Sequence, residues 1–365
     1  MNANLENLKY AYIEFFVGMA KMVTYWHVKA LGFELKAYRG PETGNAEQLS
    51  YLLTKGSINL VITSAAKPSS FEILSFVDRH GNGVKRIAYH VDNVHEAYAT
   101  AISRGAIPAV GPQRLEDEQG YVEEASIRLL DLKELVFVDD SHYNGCFIPG
   151  FAPHAIPGFE PSFDNGFQYL DHIAYGLHVN EMKFWCNDYF KKIFGGEVVQ
   201  DIKKGDIISE HSGLLLRLLS SGEHLHNVFV EPQNREHPSQ VQEYIEAYYG
   251  SGIQHMAFAT DNIFETVEHM RRSGVDFVGY PDSYYDILLE EGRIPADVVK
   301  KSRQFNVLCD GVDGAYLFQT FTKPFGDRPT FFYEIIQRTN GYRGFALENI
   351  SQLFRAVQRE QIKRS

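Results

Sequence analysis

The chain has 365 residues, enough for two domains, and its composition of 44% hydrophobic and 22% charged residues is typical of a globular protein. A formal net charge of −12 without a basic stripe argues against a nucleic-acid partner. Three widely separated cysteines, Cys146, Cys186 and Cys309, argue against a disulfide framework or structural zinc site and favour a reducing, cytoplasmic setting. Neither a signal peptide nor a membrane-spanning apolar run is evident, so no membrane partner is expected.

Two early stretches of the chain have counterparts later in it. Residues 12–34 match residues 172–197, and each stretch predicts a strand, an amphipathic helix and a turn that ends in glycine. Residues 49–63 resemble residues 214–230, and both predict strands. These matches indicate an internal duplication.

A third match has the same order of elements. Residues 83–112 and 252–281 both run from a glycine through a strand, an Asp-Asn pair, a helix, a second glycine and a second strand to a proline. The second glycines, Gly105 and Gly274, lie where the glycine that ends a helix is expected. The sequence therefore predicts an α+β protein made of two homologous halves, each a pair of βαβββ modules.

The region between the halves is rich in proline and glycine and predicts a linker over residues 151–166. Residues 1–150 are then an N-terminal domain with a structural role, and residues 167–365 are a C-terminal catalytic domain. No glycine-rich phosphate-binding motif follows a strand, so a doubly wound nucleotide-binding fold is not expected.

Three candidate metal ligands occur in the second half and are missing from the first. His172 and His255 stand where the first half has Tyr12 and Arg86, and Glu334 lies inside an apolar strand, TFFYEIIQ. Two imidazoles and one carboxylate are the facial triad of non-haem Fe(II) oxygenases, which leaves positions open for substrate and O2. A lone histidine on an apolar strand is more often a core residue, but a carboxylate in such a strand is costly without a partner.

Three neighbouring polar residues are not expected to be ligands. Asp171 precedes His172, so strand alternation predicts that its side chain points to the opposite face. His224 and His226 stand in a turn-like stretch before a strand and are expected at the surface or at an edge.

Several long motifs resemble the family of 4-hydroxyphenylpyruvate dioxygenase and its sister enzyme 4-hydroxymandelate synthase. They are LDHIAYGL, GSGIQHMAF, AYLFQTFTKPFGDRPTFFYEIIQR and GFALENISQLFRAVQREQ, and the similarity covers nearly the whole chain. The resemblance implies a vicinal oxygen chelate fold, with an open barrel around Fe(II) in the C-terminal half. It assigns His172, His255 and Glu334 as iron ligands, a 2-oxo acid and O2 as substrates, and a homo-oligomer, dimer or tetramer, as the assembly.

The resemblance also implies residues of a substrate pocket and a C-terminal lid helix over residues 345–363. The matching pocket positions are Gln240, Gln254, Gln319, Phe321, Phe332, Phe345 and Asn349. For the phenylalanines, plain core packing is the alternative. A lid would exclude water from the reaction.

Three pocket positions depart from the ring-oxidising dioxygenase. Val230 replaces the asparagine of its Asn-Glu-Pro motif, and Ile350 replaces the phenylalanine of its Gly-Asn-Phe motif. The synthase carries an aliphatic residue at both places. Leu215 stands where both enzymes have a serine, which predicts a more apolar pocket.

The favoured hypothesis is oxidative decarboxylation of an arylpyruvate with hydroxylation at the benzylic carbon, giving a mandelate-type product. The alternatives are the homogentisate-forming dioxygenase reaction and a related reaction on a less polar 2-oxo acid. A non-redox metalloenzyme and a non-catalytic small-molecule binding protein of the same fold also stay open.

Overall fold

A computed structural model describes residues 3–202, 213–233, 239–345 and 349. Each half of the chain builds one mixed β-sheet with helices packed against it. The larger part of the predicted lid helix, together with Ile350, lies outside the described residues.

The first sheet has nine strands in the order β6-β7-β8-β5-β1-β4-β3-β2-β9. Its strands are β1 (Tyr10–Phe16), β2 (Glu34–Arg39), β3 (Gln48–Lys55), β4 (Ile58–Ala65), β5 (Gly83–His90), β6 (Pro108–Asp117), β7 (Gly120–Leu129), β8 (Lys133–Asp139) and β9 (Ala152–Pro153). The helices of this half are α1 (Ala20–Leu31), α2 (Phe71–His80) and α3 (Val94–Ser103).

The second sheet has eight strands in the order β11-β12-β13-β10-β14-β17-β16-β15. Its strands are β10 (Phe167–Gly176), β11 (Glu197–Ile202), β12 (Gly213–Ser221), β13 (Leu225–Gln233), β14 (Gly252–Thr260), β15 (Leu308–Val312), β16 (Ala315–Phe321) and β17 (Phe332–Arg338). A π-helix (Lys183–Lys191) continues into α4 (Lys192–Phe194), and α5 (Gln240–Tyr248), α6 (Ile263–Arg272), α7 (Asp282–Glu291) and α8 (Ala296–Phe305) follow.

The two sheets share one topology, which confirms the predicted duplication. Without β9 and read in reverse, the first sheet has the order β2-β3-β4-β1-β5-β8-β7-β6. These strands correspond one by one to β11-β12-β13-β10-β14-β17-β16-β15 of the second sheet. Strand β1 is parallel to β4 as β10 is to β13, and β5 is parallel to β8 as β14 is to β17. The α+β assignment and the two homologous halves are therefore confirmed.

Even the irregularities of the strands are duplicated. In β1 an extra residue, Ala11, is inserted before Tyr12, and in β10 the extra residue Asp171 is inserted before His172. A second bulge falls in each antiparallel partner strand, where Gln254 is the extra residue of β14. Bulges of this kind redirect side chains next to functional sites.

The outer faces of both sheets contribute to one shared apolar core. Helix α1 of the first half brings His27 to the second sheet, where its Nε2 lies 2.6 Å from the hydroxyl of Tyr333. In return, Phe194 of α4 contacts Tyr89 and Phe137 of the first sheet. This reciprocal packing joins the halves through buried aromatic side chains.

The inner face of the first sheet carries an ion-pair network where the second sheet carries its candidate ligands. Arg86 contacts Glu14 at 2.9 Å and Glu134 at 3.5 Å, and Thr63 donates to Glu14 at 2.7 Å. The two carboxylates and the hydroxyl are buried. The charges of Arg86 and its neighbours therefore satisfy one another inside the first half.

Two segments differ from the elements that the sequence predicts. Residues 152–153 of the predicted linker form β9, which pairs with Ala37 and Tyr38 and ties this segment to the first sheet. The strand predicted after Gly274 is reduced to a single bridge between Phe277 and Thr322. Helices α7 and α8 follow it before the chain re-enters the sheet at β15. None of the described helices is long and apolar enough to cross a membrane.

Candidate active site

His172, His255 and Glu334 meet on the inner face of the second sheet, each from a different central strand. Strands β10, β14 and β17 are neighbours, with Ala257 of β14 opposite both His172 and Glu334. One Glu334 carboxylate oxygen, Oε2, lies 3.1 Å from His172 Nε2 and 3.4 Å from His255 Nε2. All three potential ligand atoms lie within 4.8 Å of one another. Adjacent rigid strands thus bring together the three predicted ligands.

The electrostatics of the cluster favour an ionised carboxylate. Burial alone raises the pKa of Glu334, but the attraction of His172 and hydrogen bonds from both histidines outweigh it and lower the pKa to about 2. Burial disfavours the charged form of His172, yet Glu334 and Asp171 raise its pKa to about 9. Burial lowers the pKa of His255. A metal ion requires a deprotonated carboxylate and would displace the proton that His172 otherwise holds.

The unpaired atoms of the cluster fit a divalent metal ion. Glu334 is 2% exposed, and its second oxygen, Oε1, has no hydrogen-bond partner among the described residues. A buried carboxylate with a free oxygen beside two imidazole nitrogens is costly unless a cation binds there. Two nitrogens and one carboxylate on one side of an ion match the Fe(II) facial triad.

A cavity in the first half does not include these ligands. It has a volume of about 510 Å³ and is lined in part by Tyr12, Asn59, His90 and Cys146. Within the part of the chain that the structure describes, only the triad places three possible metal ligands close together.

The prediction that Asp171 points away from the site is wrong. Asp171 is the extra residue of the β10 bulge, which breaks the alternation of side chains and turns its carboxylate toward the neighbouring ring. Its Oδ1 accepts a hydrogen bond from His172 Nδ1 at 2.9 Å, and Arg338 donates to both of its oxygens at 2.8 and 3.0 Å. Burial raises the pKa of Asp171, but hydrogen bonds from His172 and Arg338 lower it well below its usual value.

Two of the three predicted pocket glutamines are buried near the triad. Gln254 is the extra residue of the β14 bulge beside His255. Gln319 of β16 pairs with Ile336, which shares the sheet face of Ala257. Each is 7% exposed. Gln240, in contrast, is the exposed first residue of α5.

The predicted pocket phenylalanines Phe321 and Phe332 contact the candidate metal ligand His255. The ring of Phe332 stacks on His255 with centroids 4.9 Å apart, and Phe321 meets the same imidazole edge-on at 5.8 Å. The two phenyl rings contact each other at 6.0 Å. Both are only partly buried, so they line an open space on the inner face instead of filling a closed core.

Val230 and Leu215, two aliphatic residues predicted to line the pocket, lie on opposite faces of the second sheet. Val230 of β13 lies on the inner face with Ala174 and Val228, and it pairs with Leu216 of β12. Leu215 pairs with Glu231 and packs against the core on the outer face. The expectation that Leu215 lines the pocket is therefore wrong, because a shift of one residue moves a strand side chain to the other face. Leu216, 8% exposed, takes that place.

Phe345 covers the outer edge of the triad. Its ring lies edge-on to His172 at 5.9 Å and to His226 at 5.4 Å, and the Arg338 guanidinium lies 4.4 Å from its centre. His226 was expected at the surface or at an edge, but it is half-buried in β13, which lies between β10 and β12, and its Nδ1 lies 2.9 Å from the Ser220 hydroxyl. Its even spacing from Val228 and Val230 on one strand is the signal that places it on the inner face.

Asn349 is buried and hydrogen-bonded to helix α7. Its side-chain oxygen accepts a hydrogen bond of 2.7 Å from the hydroxyl of Tyr284 on α7, which also contacts the Cys309 backbone. The next predicted pocket residue, Ile350, lies outside the described residues.

Comparisons with known proteins agree with this architecture. Residues 169–289 match the model of the Glyoxalase/Bleomycin resistance protein/Dioxygenase superfamily. A mutant of 4-hydroxymandelate synthase from Streptomyces coelicolor has a similar structure, with a TM-score of 0.83 and 28% identity over 98% of this chain and 99% of its own. These likenesses and the duplicated sheets show the vicinal oxygen chelate fold.

Full-length relatives carry one name. The chain is 34% identical to 4-hydroxyphenylpyruvate dioxygenase of Yarrowia lipolytica over 97% of its length and 92% of the relative's. It is also 34% identical to the protein of that name from Tetrahymena thermophila, over 98% and 91% of the two chains. The chain therefore belongs to the 4-hydroxyphenylpyruvate dioxygenase family.

Proposed function

We propose that this protein is an Fe(II)-dependent dioxygenase that converts an arylpyruvate and O2 into CO2 and a 2-hydroxy-arylacetate, a mandelate-type product. One oxygen atom enters the new carboxylate and the other becomes the benzylic hydroxyl. The observation that carries this proposal is the buried triad, with its three potential ligand atoms within 4.8 Å and a free carboxylate oxygen. The family membership supports it.

The metal would be held by His172 Nε2, His255 Nε2 and the Glu334 carboxylate. Bound Fe(II) would supply the redox chemistry that activates O2, which Zn²⁺ on the same ligands does not supply. The chain's own contribution would be a buried site in which three ligands are fixed on neighbouring strands.

The two buried glutamines are suited to orient the substrate. Gln254 and Gln319 are each 7% exposed. Buried amides are normally hydrogen-bonded, so a polar ligand in the pocket would offer partners to the oxygen and NH2 groups of both. We propose that they hold the oxygen atoms of the substrate, while Phe321 and Phe332 pack against its aromatic ring.

The aliphatic pair Val230 and Leu216 supports oxidation at the side chain instead of the ring. Both are buried on the inner face, opposite one another across β12 and β13. Neither can hydrogen-bond a polar group on the substrate ring, so the pocket lacks an anchor on this wall. Because polar pocket groups discriminate strongly between substrates with and without a hydroxyl group, their loss also suits a less polar 2-oxo acid, such as phenylpyruvate.

A second candidate is ring hydroxylation to a homogentisate. It is favoured by the names of the full-length relatives, which are 4-hydroxyphenylpyruvate dioxygenases. The two products have the same atomic composition. The mandelate-type product keeps a para-substituted ring, whereas homogentisate has the new hydroxyl group on the ring and its acetate side chain moved to the neighbouring ring carbon.

The test is anaerobic reconstitution with Fe(II), followed by O2 uptake with a panel of 2-oxo acids and NMR of each product. The panel contains 4-hydroxyphenylpyruvate, phenylpyruvate and a branched-chain oxo acid. A benzylic CH–OH signal supports the proposal, and a new ring substituent supports the second candidate. Zn²⁺-loaded protein serves as the inactive reference. The dioxygenase proposal fails if the Fe(II)-loaded protein takes up no O2 with any oxo acid.

A further inference from the structure

We propose that Arg338 and Asp171 are a positioning pair for the metal centre, which holds His172 in the orientation and tautomer needed for metal binding and fixes Phe345 against it. The inference rests on the proposed function, because it assumes that the triad binds a metal ion. Neither residue is a predicted ligand.

The first link runs from Asp171 to His172. Asp171 is 4% exposed, and its Oδ1 lies 2.9 Å from His172 Nδ1. A carboxylate only accepts hydrogen bonds, so the Nδ1 atom carries a proton, and Nε2, which faces Glu334, is the nitrogen that can bind a metal ion once its own proton is displaced. His255 differs, because its Nδ1 has no partner among the described residues. One of the two imidazole ligands is therefore held by a carboxylate.

The second link runs from Arg338 to Asp171. Arg338 Nε and Nη2 donate to the two carboxylate oxygens at 2.8 and 3.0 Å, a bidentate arrangement. Arg338 stands four residues after Glu334 on β17. One strand therefore carries the candidate ligand Glu334 and also the arginine that holds Asp171, the carboxylate bonded to His172. Without Arg338, Asp171 would be a buried charge with only His172 beside it, and its orientation would be less well defined.

The third link runs from Arg338 to the cover of the site. The guanidinium lies 4.4 Å from the centre of the Phe345 ring, and Nη1 donates to the backbone oxygen of Gly344. Phe345 in turn meets His172 edge-on at 5.9 Å. Arg338 therefore contacts both the residue that orients His172 and the ring that shields its outer edge.

The first half is an internal control that lacks a metal triad. At the bulge position of Asp171 it has Ala11, and the strand register places Asp140 at the position of Arg338. The cover ring is retained, since Phe147 meets Tyr12 edge-on at 5.4 Å. The aromatic cover therefore belongs to the duplicated fold, whereas the charged pair occurs only in the half that carries the ligands.

The test is anaerobic calorimetric titration with Co(II), together with the visible spectrum of the Co(II) protein. We expect Asp171→Asn and Arg338→Ala to weaken Co(II) affinity by about 10- to 100-fold, as is typical when an outer partner of a metal ligand is removed. The Co(II) spectrum should change as the ligand field at His172 changes. In Zn²⁺-loaded protein with ¹⁵N-labelled histidine, the His172 ring signals of both variants should differ from those of the wild type.

Rescue separates positioning from a general loss of structure. Guanidinium ion added to Arg338→Ala should restore part of the affinity, and Arg338→Lys should retain only part because an ammonium group is not a planar fork. The matched control is Arg217→Gln, which removes a bidentate pair with Asp201 (3.1 and 3.3 Å) elsewhere in the same sheet. We expect this control to bind Co(II) like the wild type.

The outcomes also distinguish this inference from the proposed function. If the wild type binds no Co(II) at the triad, the metal-dependent function fails and the positioning role fails with it. If the wild type binds Co(II), but the folded Asp171→Asn and Arg338→Ala proteins bind it within twofold and with an unchanged spectrum, only the positioning role is overturned. Circular dichroism establishes that each variant is folded.

Discussion

Tyr12 of the first half and His172 of the second half occupy equivalent positions in two copies of one strand arrangement. Each follows an inserted bulge residue, and each pairs with an alanine of the neighbouring antiparallel strand, Ala88 or Ala257. At this position the first half presents a phenol ring and the second an imidazole. The same backbone arrangement therefore carries a buried tyrosine beside a cavity in one half and a candidate metal centre in the other.

The first prediction concerns metal content. Glu334→Ala should abolish binding of Fe(II) and all substrate-dependent O2 uptake, because it removes the one carboxylate of the triad. Tyr12→Phe, at the equivalent position of the first half, should bind one metal ion per chain like the wild type. Metal analysis after anaerobic reconstitution and an oxygen electrode measure both effects. Normal O2 uptake by Glu334→Ala would contradict the assignment of the triad.

The second prediction concerns the position of hydroxylation. Val230→Asn combined with Ile350→Phe should shift the product toward ring hydroxylation, because a polar anchor and an aromatic wall change how the substrate ring is aimed. Leu216→Ser should favour substrates with a ring hydroxyl group, because its side chain is on the inner face. Leu215→Ser is the matched control, since that side chain lies on the outer face. NMR of the products gives the ratio, and equal effects of the two serine variants would contradict the assigned strand faces.

The third prediction concerns pH and the contact between His27 and Tyr333. Burial lowers the pKa of His27 to about 4, so the folded protein holds this ring neutral where the unfolded chain, with a pKa near 6.5, would protonate it. The stability from His27 is therefore present above pH 6.5 and is lost as the pH falls toward 4. In His27→Leu the free energy of unfolding should depend less on pH in this window, by up to about 1.4 kcal/mol per pH unit.

Urea unfolding at several pH values measures this change. The exposed residue His224 provides the control, because His224→Gln alters the same side-chain type outside the core. A His27→Leu profile parallel to that of the wild type would show that His27 does not hold a neutral ring in the folded state.

The fourth prediction concerns the ion-pair network of the first half. Arg86→Ala leaves the buried carboxylate of Glu14 without its cation and should lower the free energy of unfolding by about 3–5 kcal/mol. Arg272→Ala removes an exposed ion pair with Glu268 and should cost only about 0.3–0.5 kcal/mol. Chemical denaturation compares the two variants. A metal content that falls in Arg86→Ala while the protein stays folded would argue against a purely structural role for this network.

Comparison of the two halves predicted the candidate ligands and the duplicated α+β modules, and the resemblance to a known family implied the vicinal oxygen chelate fold. His172, His255 and Glu334 were identified because chemically suitable residues replace unsuitable ones at matching points of a duplicated pattern. The α+β class and the repeated modules follow from apolar spacing and turn residues, which are local properties of the chain. Packing then brings the predicted ligands together on adjacent strands, as the duplication implies.

Sequence spacing by itself determined which residues could bind a metal ion and which half carries them. Only the tertiary structure decided which side chains face that site. The orientation of Asp171 depends on a bulge, and the choice of Leu216 over Leu215 depends on the pairing of β12 with β13. The partner strand controls both features, so neither is visible in a chain read alone: one inserted or shifted residue reverses the face of every side chain that follows.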